Sequence, residues 1–348
     1  MKIRKIKNLK RDTFSIFSRK NFIRLDKNEK VDVYSKKILN KIKFSPFDLS
    51  AYPETGLVYK KIAKLNKISI KNIILTAGSE FGIRMCFEYF CHKGNKKIIT
   101  INPTFGMVDV YAKLFNINQV RIGYNKNLQL DIKKLEKNIS DKISLIILAN
   151  PNSPTGTVMS TIQLKKILYL AEKKNIPVLI DEAYYGFYQF SYLKYLKRYK
   201  NLLILRTFSK SYGLAGLRAG YLIANKPIIK ELYKFKPMYE LNSMACKALL
   251  FFLNRPKTHL KYISEVNKGK IFFESELKKL KISFLKTYAN FLHIDLGKKK
   301  QNIEKKLLAN KILTRKGPGV KGLESFLRIT LGPKREMKKV LRVLKAAI

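Results

Sequence analysis

The sequence predicts an α/β protein: a large domain with a mainly parallel sheet covered by helices on both faces, then a smaller α+β domain. Three observations lead there. From about residue 45 to 245 short apolar runs alternate with amphipathic stretches, as strands and crossover helices do in a parallel sheet. Residues 243–281 hold one long amphipathic pattern, expected as a connecting helix. Residues 282–348 return to shorter strands with helices between and after them. The expected bounds are 1–44 for an N-terminal segment joining the small domain, 45–245 for the large domain and 246–348 for the small one.

The elements follow in order. Apolar runs such as IILT at 73–76 and SLIILA at 144–149 suit strands bounded by polar turns. The strands expected in the large domain are 73–76, 97–101, 119–122, 143–149, 176–181, 201–207 and 218–224. Helices are expected at 56–66, 80–91, 106–115, 161–175 and 226–235. In the small domain, strands are expected near 282–286, 290–296, 311–315 and 326–331. There is no internal repeat and no low-complexity linker.

Composition bounds the class. A chain of 348 residues, 46% of them hydrophobic, can build two domains with substantial cores. No apolar run is long enough to span a bilayer. The start, MKIRKIKNLKRDTF, is basic without an apolar signal core. Cys86, Cys91 and Cys246 are odd in number and lack C-x-x-C spacing, which fits reduced thiols in a cytoplasm. The histidines show no metal spacing, so no metal is expected. The net charge of +48, from 72 Lys and Arg against 24 Asp and Glu, raises the question of nucleic-acid binding. The lysines recur along almost every segment rather than in one basic tail, which favours solvated faces over a specific nucleic-acid partner.

Residues 201–221, NLLILRTFSKSYGLAGLRAGY, are the most informative stretch. An apolar strand ends in Ser209-Lys210, and Arg218 follows after Gly213 and Gly216. A lysine amine can form a Schiff base with an aldehyde. A serine hydroxyl and a guanidinium grip a phosphate. A group that is both aldehyde and phosphate is pyridoxal phosphate, which makes Lys210, Ser209 and Arg218 candidate cofactor residues.

Other segments add to this. In VLIDEAYYGF, Asp181 ends an apolar strand, where ligands of open α/β sheets bind. A carboxylate there keeps a pyridine nitrogen protonated, and Tyr184 reaches the ring's phenolic oxygen. The alternative is a helix cap and a core tyrosine. The rigid turn NPNSPTG offers an amide for the same oxygen, Asn152 first and Asn150 second. In NIILTAGSEFG, Gly78 and Ser79 open a helix, whose N-terminal amides suit the phosphate.

These strings, above all RTFSKSYGLAGLRAGY with DEAY and PNSPTG in order, resemble fold-type I, class I/II pyridoxal-phosphate aminotransferases, and most of all histidinol-phosphate aminotransferases. The resemblance runs from IRLDKNE to FLRITLG and implies an aspartate-aminotransferase-like fold. It implies that Phe105 stacks on the cofactor ring, and that Tyr52 reaches the cofactor phosphate of the other subunit of a homodimer. It also implies that Arg328 clamps the substrate carboxylate and that Arg315 helps to hold a substrate phosphate. Asn290 and Asn242 match further family positions. The reaction implied is transfer of an amino group from an amino acid such as glutamate to a keto substrate, with histidinol phosphate leading. No motif separates this from a threonine-phosphate-type decarboxylase or an aminotransferase of another biosynthetic cluster. The chain departs from the family at Asn28–Lys37, which lacks its Pro-Gly-Pro, and at Gly78–Gly82.

Overall fold

A computed structural model describes residues 17–92 and 97–347; the basic start of the chain lies outside them. The strands are β1 (Ile23–Arg24), β2 (Ile73–Thr76), β3 (Lys97–Asn102), β4 (Asn118–Gly123), β5 (Ile143–Ala149), β6 (Val178–Asp181), β7 (Leu202–Thr207), β8 (Gly220–Ala224), β9 (Phe291–Asp295), β10 (Ile312–Leu313), β11 (Arg315–Lys316) and β12 (Phe326–Thr330). The first six helices are α1 (Lys36–Leu39), α2 (Phe47–Ser50), α3 (Gly56–Asn66), α4 (Gly78–Phe90), α5 (Met107–Leu114) and α6 (Ile132–Lys137). The remaining ones are α7 (Thr161–Glu172), α8 (Lys226–Leu232), α9 (Ser243–Leu253), α10 (Pro256–Lys279), α11 (Lys300–Ala309) and α12 (Lys334–Lys345).

Seven strands form the large sheet in the order β2-β8-β7-β6-β5-β3-β4. The run from β7 to β4 is parallel, and only β8 is antiparallel to its two neighbours. Every residue of β5, β6, β7 and β8 is buried. Their side chains alternate between two cores, one on each face of the sheet. Ile146, Val178, Ile180, Leu202 and Ile204 enter one core, and Leu145, Ile147, Leu179, Leu203 and Leu205 enter the other. Burying each such side chain contributes about 1.5–3 kcal/mol, so a sheet lined this way needs helices on both faces.

The small domain is a three-stranded antiparallel sheet in the order β11-β12-β9 with its own core. The N-terminal segment joins it: β1 pairs with β10, and Leu25 and Val31 enter the same core. On the large-domain side, α9 packs Cys246, Leu249, Phe252 and Leu253 into the core of the large sheet.

Several elements differ from the sequence expectation. The 243–281 pattern is two helices broken at Asn254-Arg255, because the ring of Pro256 starts a helix and cannot continue one. Strand β8 starts at Gly220 rather than 218, because Arg218 takes the left-handed conformation (φ +47). The expected strand at 282–286 is a single bridge, Phe284 to Ile294. The run at 311–315 splits into β10 and β11, which serve different sheets.

Candidate active site

Asn102, Ala149, Asp181 and Thr207 end parallel strands on one edge of the large sheet, and the loops after them carry most of the candidate residues. Gly78 opens α4 with φ +75, and a side chain there would strike the Arg218 guanidinium at 2.8 Å. Only glycine lets the helix start this close to that cation. No side chain caps the helix end, so its amides are free to face an anion. Arg218 donates to the Ser209 hydroxyl at 3.4 Å and to the Ala215 carbonyl at 3.4 Å. Among the described residues no carboxylate pairs with it. Gly78 and Ser209 therefore meet the Arg218 guanidinium at an uncapped helix start that begins Gly78-Ser79, a cradle of the charge that suits a phosphate.

Asp181 and Glu182 are adjacent acids with different tasks. Glu182 is consumed by the fold: it pairs with buried Arg206 at 2.9 Å and accepts from Ser191 and the Tyr192 amide. Asp181 is 6% exposed, and among the described residues its carboxylate accepts only the Ala183 amide, at 3.0 Å. Burial first, and then Glu182, push its pKa up to about 7, against the Ala183 bond and Lys210. A buried carboxylate without a cation is costly, and a pyridinium nitrogen would supply one.

Lys210 keeps part of its surface open, and its Nζ donates to the Lys27 carbonyl at 2.9 Å. Desolvation first, then Arg328 and Arg218, lower its pKa to about 8, opposed by Glu29 and Asp181. The lowered pKa gives this amine a larger neutral fraction at ordinary pH than a surface lysine has, as nucleophilic and general-base chemistry require.

Tyr184 is buried, 5.9 Å from the Lys210 amine at its ring centre. Its hydroxyl accepts from the Asn28 amide at 2.9 Å. Burial raises its pKa, partly offset by Arg328 and by the hydrogen-bonding side chains of Ser153 and Asn28. Asn152 does not fill its expected place. Its amide donates to the Pro103 carbonyl at 3.0 Å and to Thr155 at 2.9 Å, and its oxygen accepts from Thr104. Asn150 in turn accepts from the Met159 amide. Both asparagines brace the turn, and Ser153 is the loop side chain that acts on Tyr184. Phe105 lies in the loop after β3, partly exposed and without an aromatic partner among the described residues.

Arg328 lies on β12, 8% exposed, with its Nη2 on the Asp26 carbonyl at 2.7 Å and its Nε without a partner. Burial lowers its pKa. Arg315 stands opposite it in the β11–β12 pair and helps to lower its pKa, and among the described residues no salt bridge involves either arginine. Tyr52 is not in this site: it is 76% exposed and stacks on Tyr239 at 4.5 Å. Asn242 caps α9 through the Ala245 amide, and Asn290 donates to the Asn28 carbonyl at 3.2 Å.

The IRLDKNE string supplies residues whose roles the sequence did not show. Asp26, Lys27 and Asn28 run across the site, touching Arg328, Lys210 and Tyr184. Asn28 takes φ +54, in the left-handed region that asparagine tolerates. Phosphate cradle, buried carboxylate, phenol and a lysine of lowered pKa together fit pyridoxal phosphate.

A family model described as "Aminotransferase class I and II" matches residues 44–344. A histidinol-phosphate aminotransferase of Buchnera aphidicola subsp. Cinara cedri is 32% identical over 88% of this chain and 88% of its own length. One from Flavobacterium psychrophilum is 33% identical over 97% of this chain and 93% of its own length. Among solved structures, the histidinol-phosphate aminotransferase of Clostridium acetobutylicum superposes with a TM-score of 0.82 at 26% identity, covering 93% of this chain and 98% of that one. The enzyme from Sinorhizobium meliloti, in complex with pyridoxal-5'-phosphate, shares the fold with a TM-score of 0.83 at 20% identity, covering 93% of this chain and 91% of that one.

Proposed function

The chain belongs to the class I and II aminotransferases, and from that premise we propose that it moves an amino group from glutamate to the keto form of histidinol phosphate. It is a pyridoxal-phosphate-dependent transaminase with the aspartate-aminotransferase-like fold. When bound, the cofactor supplies an aldehyde carbon for amine exchange and a ring that withdraws electrons. The protein's part lies in its side chains. Arg218, Ser209, Ser79 and the amides at Gly78 would hold the phosphate. Asp181 would keep the ring nitrogen cationic, while Tyr184 and Ser153 would hold the phenolic oxygen.

Lys210 does the proton work. Its Nζ, whose pKa is lowered to about 8, would take the proton from the substrate's α-carbon and hold it for return, one amine serving both transfers. Arg328 orients the substrate through its anionic group. The observation that carries the substrate reading is the Arg328–Arg315 pair, two cations directly opposite each other on neighbouring strands, with no salt bridge to either among the described residues. One such pair serves the carboxylate of glutamate in one half-reaction and the phosphate of histidinol phosphate in the other. The names of the relatives point the same way. The test is absorbance of the cofactor-loaded protein. Glutamate and histidinol phosphate, added separately, should each bleach the visible band, and Arg315→Ala should raise KM for histidinol phosphate about tenfold or more. A band that bleaches with glutamate alone would leave the transaminase and reject this substrate.

We further propose a homodimer in which Tyr52 completes the partner's phosphate site. Two strongly exposed apolar residues, Leu49 (77%) and Met238 (80%), flank the Tyr52–Tyr239 stack. The segments that carry them are tied together by Ser243 to Ala51 and by Lys247 to Asp48. An exposed apolar surface of this kind suits a self-association face. Leu49→Glu with Met238→Glu should convert the dimer to monomer in light scattering and weaken cofactor retention. A native chain that is monomeric at micromolar concentration would contradict the dimer.

A further inference from the structure

We propose that His293 is a positioning residue, a strut from the small domain that holds the 150–157 loop of the large domain against the strand of Arg328. The contact is independent of the transaminase reading; its consequence for turnover rests on that reading.

His293 is fully buried on β9, directly opposite Arg328 of β12. Its Nε2 lies 2.6 Å from the Pro154 carbonyl oxygen. A carbonyl can only accept, so Nε2 carries the hydrogen and donates. Among the described residues Nδ1 is buried without a partner, so nothing there accepts a second ring hydrogen. Burial first, and Arg328 with it, bring its pKa down to about 4 despite the Pro154 bond, so the ring stays neutral through the working range.

Two neighbouring contacts reinforce the same docking. The Tyr288 amide donates to the Gly156 carbonyl at 2.9 Å. Gly156 takes φ +78, and a side chain on it would meet the Thr287 hydroxyl at 2.5 Å. The loop that leaves β5 is thus seated on residues 287–293, far along the chain. Pro154 adjoins Ser153, whose side chain acts on Tyr184. On the other side, the His293 ring meets Phe291 edge-on at 5.5 Å. Phe291 in turn meets Tyr184 at 5.6 Å and lies 5.3 Å from the Arg328 guanidinium. One imidazole therefore ties the loop beside the cofactor's phenolic oxygen to the strand that holds the substrate's anion.

A side chain that only filled space would be replaced by leucine without effect. A strut needs the N–H, which glutamine can offer at similar reach. The experiment compares His293→Leu and His293→Gln in the full-length protein. Three quantities are read: hydrogen exchange of the 150–157 peptide, pyridoxal phosphate affinity by absorbance titration, and KM against kcat for the amino donor. His293→Leu should speed exchange, weaken the cofactor and raise KM, each by about tenfold, the size of one lost buried hydrogen bond. His293→Gln should stay within about threefold of the native chain in all three. Native-like behaviour of the leucine variant, or equal damage from glutamine, overturns the proposal. If the leucine variant does not fold, the glutamine variant decides: native exchange and KM uphold the strut, and loss of both rejects it. If the native chain binds no pyridoxal phosphate, the functional reading fails while the exchange measurement still tests the contact.

Discussion

Replacing Lys210 with alanine lowers turnover by more than about 10⁴-fold, the upper range for one general acid–base group, because the same amine also serves as the covalent anchor. No other described lysine stands in its place: its Nζ feels Arg328, Arg218, Glu29 and Asp181 at once, at the end of a buried strand turn. The native amine also has a signature that a surface lysine lacks. Its pKa of about 8 lies well below the ordinary 10.5. Reductive trapping of pyridoxal phosphate, followed by mass spectrometry of the Lys210 peptide, should rise with a midpoint near pH 8. A midpoint near 10, or an alanine variant with ordinary turnover, would remove Lys210 from the mechanism.

Asp181→Asn has two effects of opposite sign. Activity falls by about 10²–10³-fold, since a ring nitrogen that loses its buried counter-charge loses protonation. Stability of the cofactor-free protein moves the other way. The folded pKa of Asp181, about 7, lies above its ordinary 3.8. A raised carboxyl costs nothing below the lower value, begins to cost as pH climbs past it, and reaches its full cost above the upper one. That cost is on the order of 2–4 kcal/mol. The asparagine variant should therefore melt higher than the native cofactor-free protein at pH 8, and the two should converge near pH 4. If the native protein instead melts higher at pH 8, Asp181 has a cation among the protein's own groups and is not reserved for the cofactor. The neighbouring Glu182 marks the contrast, because Arg206 already neutralises it.

Much of the site could be read before folding, for a local reason. The turn after β7 brings Ser209, Lys210 and Arg218 together within ten residues, and the left-handed Arg218 closes it. Gly78 is needed by its own φ and by the approach of the guanidinium. Asp181 was legible at the end of its strand, but the different task of Glu182 beside it was not. It depends on Arg206 and Ser191, which arrive from the neighbouring strand and a later turn. The 150–157 loop shows the same limit. Its rigidity is encoded in its prolines, yet the sequence does not show that Pro103 and Thr104, from another loop, engage the Asn152 amide offered for the phenolic oxygen.

What the sequence determined by itself was the set of buried strands, the parallel sheet and the chemistry at the strand ends. Apolar runs and turn residues act over a few neighbours, and their preferences survive in any compact arrangement. The tertiary structure alone decided what crosses that edge. Lys210 meets Lys27 across 183 residues, Arg328 meets Asp26 across 302, and His293 meets Pro154 across 139. Such bonds require the loops between the partners to close first, and they form only where two separately built cores fix both ends.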